Sequence, residues 1–307
     1  MANVLAVLCS GRRKGYTATV LRSAVEGAKS IKGVKVEWVR LHDYTLKPCA
    51  SCFHCIRDPK RRCPIDDDFG RMGKGRLLRK LKRANGLIIA DPVHMWGASA
   101  MCHLFVERTY AYHWTKDLRG MPLITFSCAT NQGFQLEAQR ALTRWAFTGG
   151  YWYLGGLPVH AAYFDAALNE ARRMGRKLGQ AAVRDAACGR KSFSEVERFR
   201  MFLDRPWSGY DGYIENLSNG TNTLRDSLPE RALREGTFHR PDAVELLKQA
   251  RDAFAKVLAH HKKGDTKTAI RCLVRASAYW THATWLEFLE EQAIKAPPPE
   301  TYRPLPK

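Results

Sequence analysis

The sequence lacks the features that mark membrane and secreted proteins. No apolar run among its 307 residues approaches the roughly 18 that a membrane-spanning helix needs. The first such run, Val4–Cys9, is short and follows no basic segment of the kind that begins a secretory signal. A Walker loop, a GxGxxG fingerprint and internal repeats are also missing. We therefore expect a cytoplasmic protein that acts away from membranes.

Acidic residues are scarce, and the shortage is uneven. The chain has 50 Lys and Arg against 30 Asp and Glu, a net charge of +20. Residues 1–190 hold 31 of these basic residues and only 14 of the acidic ones. Such a field attracts anions, for example a phosphorylated cofactor, an acidic protein or nucleic acid. The alternative is a solvated surface that serves solubility.

Strand and helix patterns alternate over residues 1–190. Five short apolar runs are each followed by a segment with apolar residues at helical spacing. This order predicts a doubly wound α/β domain with a five-stranded parallel sheet. The predicted strands are Asn3–Cys9, Val34–Val39, Gly86–Ala90, Leu123–Ser127 and Tyr151–Val159.

Residues 191–307 show a different pattern and are predicted to form a helical extension. Ser194 and Glu197 make a capping box before a short helix. Residues 205–240 lack periodicity and predict a long loop that serves as a lid, binding arm or linker. Helices are expected over Asp242–His261 and Asp265–Ile294, with Gly264 and Asp265 as the turn between them. The proline-rich tail, 296–307, cannot be helical.

Two loops carry candidate ligand-binding residues. The first, Ser10–Thr17, joins a strand to a helix and offers hydroxyls, glycine, positive charge and helix N-terminal amides, as a phosphate requires. An ordinary helix cap is the alternative. The second, Asp91–Ala100, is an apolar, aromatic turn after a buried strand. In a doubly wound sheet both loops lie at the carboxyl ends of the strands, where ligands bind.

These loops resemble those of the NADPH-dependent FMN reductases, particularly the iron-sulfur flavoproteins, over about residues 1–190. The shared motifs are Ser-x-Arg-x-x-Gly-x-Thr, Pro-Val-x-x-x-x-x-Ser-Ala with Phe-x-x-Arg, and four cysteines followed by Asp-Asp-Asp. The resemblance implies a flavodoxin-like fold and an FMN site. It places the FMN phosphate on Ser10, Arg12, Gly15, Tyr16 and Thr17. It places the flavin ring against Pro92, Val93, His94, Met95, Trp96 and Gly97, and against the next loop at Ser127, Thr130, Asn131 and Gly133.

Four of the nine cysteines form a tight motif, C-x2-C-x2-C-x7-C, at Cys49, Cys52, Cys55 and Cys63. Thiolates at this spacing can converge on one centre, which favours a four-iron four-sulfur cluster. A structural zinc ion is an alternative, although zinc ligands are usually two pairs set further apart. No metal at all is a third. The remaining cysteines, Cys9, Cys102, Cys128, Cys188 and Cys272, are expected to be buried, and Asp66–Asp68 are expected to cap the next helix.

The interpretation is an FMN-dependent oxidoreductase that takes electrons from NAD(P)H or ferredoxin and passes them through the cysteine cluster, with no side chain as acid or base. One alternative is a cluster-free NAD(P)H-dependent FMN, quinone or nitro reductase. Another is a noncatalytic, zinc-containing nucleic-acid-binding protein, which is less favoured. The resemblance further implies a homodimer or tetramer. The basic segment Arg71–Arg83 suggests docking of an acidic carrier, such as a ferredoxin or flavodoxin.

Overall fold

Strands and helices alternate through the first part of the chain, as the sequence periodicity predicts. The computed structural model describes residues 1–114, 117–202, 210–288 and 305–306. They form two units, Met1–Ser192 and Phe193–Lys307. The strands are β1 Ala2–Leu8, β2 Val34–Arg40, β3 Gly86–His94, β4 Gly97–Ala98, β5 Pro122–Ala129 and β6 Trp152–His160. The helices of this first unit are α1 Tyr16–Lys29, α2 His54–Arg57, α3 Arg76–Arg83, α4 Ala100–Arg108, α5 Gln135–Thr148 and α6 Phe164–Cys188.

The sheet has the strand order of a flavodoxin-like fold. Its order is β2-β1-β3-β5-β6, and all of these neighbours are parallel. The predicted five-stranded parallel sheet is therefore confirmed. A sixth strand, β4, adds a two-residue antiparallel hairpin to the carboxyl end of β3. The topological switch point lies between β1 and β3, and in this fold it is where a ligand is expected.

The core of this unit lies between the sheet and its helices. Strand β3 is buried from Gly86 to Pro92, because helices cover both faces of a parallel sheet. The apolar stripe of α1 is buried at Val20, Leu21 and Ala24, and the basic helix α3 buries only its three leucines. Both helices were predicted from this spacing.

Helices α1 and α6 pack on each other through glycine. A Cβ added at Gly27 would lie 2.0 Å from the carbonyl oxygen of Arg172, and one at Gly175 would lie 1.9 Å from that of Ala24. Any larger residue would force the two backbones apart. These glycines are therefore needed for close approach, which offsets the cost of glycine within a helix.

The second unit is helical over its described residues. Its helices are α7 Glu195–Arg200, α8 Tyr210–Leu217, α9 Leu228–Glu235, α10 Pro241–Lys262 and α11 Thr266–Thr284. The predicted capping box of Ser194 and Glu197 is present at α7. Asp265 caps α11 by accepting the Thr268 N–H at 3.1 Å, and Gly264 has the positive φ of a C′ residue. Helices α10 and α11 pair through a small core at Phe238, Ala243, Leu247 and Ala283.

One expectation for this unit is corrected by the structure, and another concerns residues outside those that the structure describes. The predicted loop over 205–240 contains α8 and α9. Helix α9 begins at the cap Ser227, has Pro229 in its first turn and ends at Gly236 in the left-handed conformation. Those start and stop signals are in the sequence, but the helix is too short for periodicity to reveal it. The expected end of the last helix at Ile294 and most of the proline-rich tail lie outside the described residues.

In the part of the chain that the structure describes, no helix has the length and apolar character needed to cross a membrane.

Candidate functional site

The loop after β1 leads into a helix whose N-terminus has no side-chain cap. Gly15 is the N-cap residue, and the first turn of α1 contains no acidic residue. Ser10 Oγ accepts the N–H of Arg12 at 3.2 Å, which turns the loop back over the strand end. The backbone hydrogen bonds of α1 begin at Thr19, whose N–H donates to the Gly15 carbonyl at 2.9 Å. The amides before Thr19 and the positive end of the helix dipole suit an anion.

This loop lies beside a cleft of about 760 Å3 at the carboxyl ends of β1, β3 and β5. That volume is in the usual range for small-molecule and cofactor sites. All five residues predicted to hold the phosphate line the cleft, as do four of those predicted to contact the ring: Pro92, Val93, His94 and Thr130. The cleft is also lined by Gly11 and Cys128, which lie within the predicted loops, and by Thr19, His42 and Phe164, which no sequence motif singled out. Phe164 begins α6 and packs edge-on against Tyr16 at 4.6 Å between ring centroids.

The other predicted ring contacts lie outside the lining of this cleft. Met95 and Trp96 form the tip of the β3–β4 hairpin, where they are 99% and 62% exposed. The Trp96 ring stacks on Phe134 at 4.8 Å, and its N–H donates to Gln132 Oε1 at 3.1 Å. The tip thus packs on the loop after β5, which also contains the predicted Asn131 and Gly133.

Gly97 lies in β4, beside that tip. Ser127 is fully buried within β5, and its hydroxyl donates to the Gln135 carbonyl at 2.7 Å. It therefore fixes the start of α5 rather than lining the cleft.

A buried carboxyl group, that of Asp91, lies next to Pro92 of the cleft. Asp91 precedes Pro92 and is fully buried. It accepts the N–H of Ser99 at 3.0 Å and the hydroxyl of Ser99 at 2.5 Å. Burial raises the pKa of Asp91 to about 7, because the charged form loses its hydration and Ser99 offers only neutral donors. Ser99 in turn caps α4 by accepting the Cys102 N–H at 3.2 Å.

Two buried thiols flank Asp91. The sulfur atoms of Cys9 and Cys102 and a carboxylate oxygen of Asp91 all lie within 4.8 Å of one another. Burial raises the pKa of Cys9, and the contact with Cys9 together with burial raises that of Cys102. The prediction that Cys9, Cys102 and Cys128 are buried is confirmed. The same prediction was wrong for Cys188, which is exposed at the end of α6, and Cys272 is only half-buried.

The four cysteines of the motif line one pocket of about 480 Å3, separate from the cleft. Burial, together with the other three thiols, raises the pKa of Cys55 to about 11. The chain turns sharply around the motif, with positive φ at Ser51, Phe53 and Arg61. The remaining wall of the pocket is mostly apolar: Phe53, Pro64, Ile65, Val106 and Tyr110.

A buried ion pair supports this pocket. Arg108, the last residue of α4, donates two N–H groups to the carboxylate of Asp67, and both side chains are almost fully buried. Burial alone would raise the pKa of Asp67 and lower that of Arg108. The ion pair outweighs burial, so the pKa of Asp67 is lowered and that of Arg108 is raised. Arg108 also donates to the Lys47 carbonyl at 2.7 Å and to Cys63 Sγ at 3.2 Å.

Comparison with known proteins shows the family of the chain. The sequence pattern described as NADPH-dependent FMN reductase matches residues 2–164, more than half of the chain. The chain belongs to the NADPH-dependent FMN reductase family. It is accordingly a flavin-dependent oxidoreductase of that family.

Two curated relatives are named iron-sulfur flavoproteins. One, from Methanocaldococcus jannaschii, is 33% identical over 34% of this chain and 51% of that protein. The chain therefore spans about half the length of this relative. The other, from Archaeoglobus fulgidus, is 25% identical over 66% of this chain and 97% of that protein. Among solved structures, an azoreductase from Bacillus anthracis is 14% identical with a TM-score of 0.46, over 58% of this chain and all of that one.

Within this FMN reductase family member, the acidic triplet has a different role from the predicted one. Helix α3 has Gly75 at its N-cap position and no side-chain cap, so the expected capping by Asp66–Asp68 was wrong. Asp67 instead accepts backbone N–H groups from Lys47, Phe69 and Gly70 in addition to pairing with Arg108. Asp68 accepts the Thr45 N–H and pairs with Arg76. Asp67 and Asp68 thus stabilise the segment that carries the cysteines. Only the Phe-x-x-Arg motif signalled Arg108, and it did not indicate a role.

Proposed function

We propose that this chain binds FMN in the cleft beside α1 and moves electrons between that flavin and a four-iron four-sulfur cluster on Cys49, Cys52, Cys55 and Cys63. FMN, when bound, supplies hydride and one-electron chemistry, and an iron-sulfur cluster supplies one-electron storage. The observation that carries the proposal is the coexistence of an uncapped helix N-terminus on a cofactor-sized cleft with four thiols around one apolar pocket.

The residues of the cleft fit the phosphorylated flavin. Ser10, Arg12 and Thr17 stand where hydroxyl and guanidinium groups would add to the amides of α1 in binding a phosphate. Pro92, Val93 and His94 would lie against the ring, with backbone groups of the same turn reaching its polar edge. These side chains bind, orient and shield the cofactor from water, and none of them needs to act as an acid or base.

The spacing of the thiols supports a cluster over a single zinc ion. Tetrahedral zinc with bonds of about 2.3 Å would bring its sulfur ligands to within ~3.8 Å of one another. Among the described residues, the only group of three or more metal-ligating side chains that converge within 4.8 Å is Cys9, Asp91 and Cys102. The four motif cysteines are not such a group, so their thiols are not already gathered around a single-ion site. A cubane cluster takes one cysteine on each iron.

Analysis of protein purified without oxygen tests the proposal. We expect about four iron and four sulfide per chain, together with FMN. Changing any one motif cysteine to serine should remove most of the iron and leave FMN bound, because the two sites share no lining residue. Cys188→Ser and Cys272→Ser are matched controls that should retain the iron. FMN without metal would support the cluster-free reductase instead, and zinc without flavin or iron would support the nucleic-acid-binding alternative.

We also propose that an acidic electron carrier docks on the basic segment formed by α3 and the turn before it. Four of its seven cationic side chains pair with carboxylates: Arg71 with Asp66, Arg76 with Asp68, Lys80 with Glu37, and Lys82 with Asp117. The field there is consequently weaker than the sequence alone suggested. Electron transfer to a ferredoxin or flavodoxin should still slow as salt is raised. A rate independent of ionic strength would exclude docking at this surface.

The expected homodimer or tetramer stays a prediction, for which light scattering is the measurement.

A further inference from the structure

Arg108 contacts the sulfur of the last cysteine of the motif from inside the protein. One of its N–H groups points at Cys63 Sγ at 3.2 Å, and the side chain is almost fully buried. The other hydrogen bonds of its guanidinium group are with Asp67 and the Lys47 carbonyl. The guanidinium group is therefore a donor to the thiol from a side that water does not reach.

The position of the guanidinium group is fixed on both sides. Asp67 is held by the N–H groups of Lys47 at 2.9 Å, Phe69 at 3.0 Å and Gly70 at 2.6 Å, so the carboxylate cannot turn away from the arginine. The Phe69 ring lies against the guanidinium group, with its centroid 5.7 Å from Cζ. A donor held this way needs little reorganisation when charge on the sulfur changes.

The neighbouring residue holds the other end of the motif. Glu107 Oε1 accepts the backbone N–H of Cys49 at 2.6 Å. Consecutive residues of the last turn of α4 thus contact the first and the last of the four cysteines. The same helix is capped by Ser99, which binds Asp91, the residue before Pro92 of the cleft. Helix α4 therefore connects the two segments that carry the candidate sites.

We propose that Arg108 sets the reduction potential of the iron-sulfur cluster, by donating an N–H to the sulfur of Cys63 and placing a positive charge beside it. The inference rests on the proposed function, because Cys63 must be an iron ligand for it to hold. Reduction adds one electron, taken from a one-electron donor, to a group whose thiolate ligands already carry negative charge. Hydrogen bonds to the sulfur atoms and nearby positive charge stabilise the reduced form and raise the potential.

The test is a redox titration of anaerobic protein with dithionite, followed by the electron paramagnetic resonance signal of the reduced cluster. In Arg108→Gln we expect full iron and sulfide content and a more negative midpoint potential. The ratio of reduced to oxidised cluster at a given applied potential should fall on the order of tenfold, or about 59 mV for one electron. Arg108→Lys keeps the positive charge but loses the planar guanidinium group with its paired donors. The potential of the cluster in this variant should therefore lie between those in Arg108→Gln and the wild type.

Arg76→Gln is the matched control. Arg76 pairs with Asp68, the neighbour of Asp67, but is half exposed and has no bond to a cysteine. Its loss should leave the potential unchanged. If Arg108→Gln does not fold, the double variant Arg108→Gln/Asp67→Asn replaces it, because it removes both buried charges together. The double variant should also show a negative shift, but a smaller one, because the negative charge of Asp67 is lost together with the positive charge of Arg108.

The outcomes separate this inference from the proposed function. Wild-type protein without iron would overturn the proposed function and the inference with it. Wild-type protein with a full cluster, and a variant at position 108 with a full cluster and an unchanged potential, would overturn the inference alone. Loss of the cluster from folded Arg108→Gln protein would also overturn it, since the arginine would then be needed for assembly. An equal shift in Arg76→Gln would show a general charge effect and would overturn it as well.

Discussion

Two fully buried aspartates, Asp67 near the cysteine motif and Asp91 next to Pro92 of the cleft, differ in the direction of their pKa shifts. Asp67 faces a buried arginine and backbone donors, and its pKa is lowered. Asp91 faces the N–H and hydroxyl of Ser99, and its pKa is raised to about 7. Both side chains are inaccessible to solvent, but Asp91 lies deeper in the protein. Depth of burial and the partner that the fold supplies together set the direction in which the pKa of each carboxyl moves.

The difference also separates two ways of building a site. The cleft is lined by loops from separate parts of the chain, and its main contribution is a loop that leaves the N-terminus of α1 open. The cysteine pocket depends on an ion pair between residues 41 positions apart. We expect the cysteine pocket to be the more sensitive to a single substitution.

The largest expected effect is on Asp67. Asp67→Ala leaves the Arg108 charge buried without its partner, which should lower the free energy of unfolding by about 3–5 kcal/mol. Asp66→Ala is the control, because Asp66 forms only an exposed pair with Arg71 and should change stability by less than ~0.5 kcal/mol. Urea denaturation followed by circular dichroism measures both. Equal losses in the two variants would mean that the buried pair does not support this segment.

The pH dependence of stability should run in opposite directions for the two aspartates. In the unfolded chain Asp91 releases its proton near pH 3.8, whereas in the folded protein it holds the proton up to about pH 7. Its presence therefore lowers stability as the pH rises across that window. The lowered pKa of Asp67 has the opposite effect: its stabilisation is present above the unfolded pKa and is lost as the pH falls through the folded value.

Asp91→Asn isolates the first of these effects. Relative to wild type, the variant should gain stability on the order of 1.4 kcal/mol for each pH unit between about pH 4 and 7, and nothing further above that. Urea denaturation at several pH values is the measurement. A difference between variant and wild type that does not change with pH would show that Asp91 is ionised in the folded protein.

A smaller effect is expected in the phosphate loop. Arg12→Ala and Thr17→Ala should each weaken FMN binding by roughly 1–3 kcal/mol, because hydrogen bonds to a charged phosphate are stronger than neutral ones. Lys14→Ala is the matched control: Lys14 is in the same loop but does not line the cleft. Fluorescence titration of apoprotein with FMN gives the three affinities. If Arg12→Ala and Thr17→Ala both bind FMN as tightly as the wild type, the phosphate does not bind in this loop.

The smallest effect concerns the hairpin tip. Met95 is almost wholly exposed and does not line the cleft, whereas the adjacent His94 does. Met95→Ala should therefore change FMN affinity by less than ~0.5 kcal/mol, and His94→Ala should weaken it more. The same titration compares them. A larger loss in Met95→Ala would mean that the hairpin closes over the bound cofactor.

Much of the cleft could be predicted because its signals are local. A strand, a hydroxyl- and glycine-rich turn and a helix follow one another between Ala2 and Lys29, and the structure forms each of them there. The predicted contacts at Met95 and Trp96 depended instead on how the hairpin turns. That turn is set by positive φ at both residues and by packing on Phe134, and sequence spacing indicates neither.

By itself, the sequence determined the alternation of strands and helices over residues 1–190, the parallel sheet of five strands and the grouping of four cysteines. Each of these follows from periodicity or spacing within a few dozen residues. The tertiary structure alone decided which side chains support the sites: Arg108 against Asp67 and Cys63, Glu107 against Cys49, and Ser99 against Asp91. The physical reason is that the fold brings polar groups from distant parts of the chain together. Burial then makes their pairing decisive.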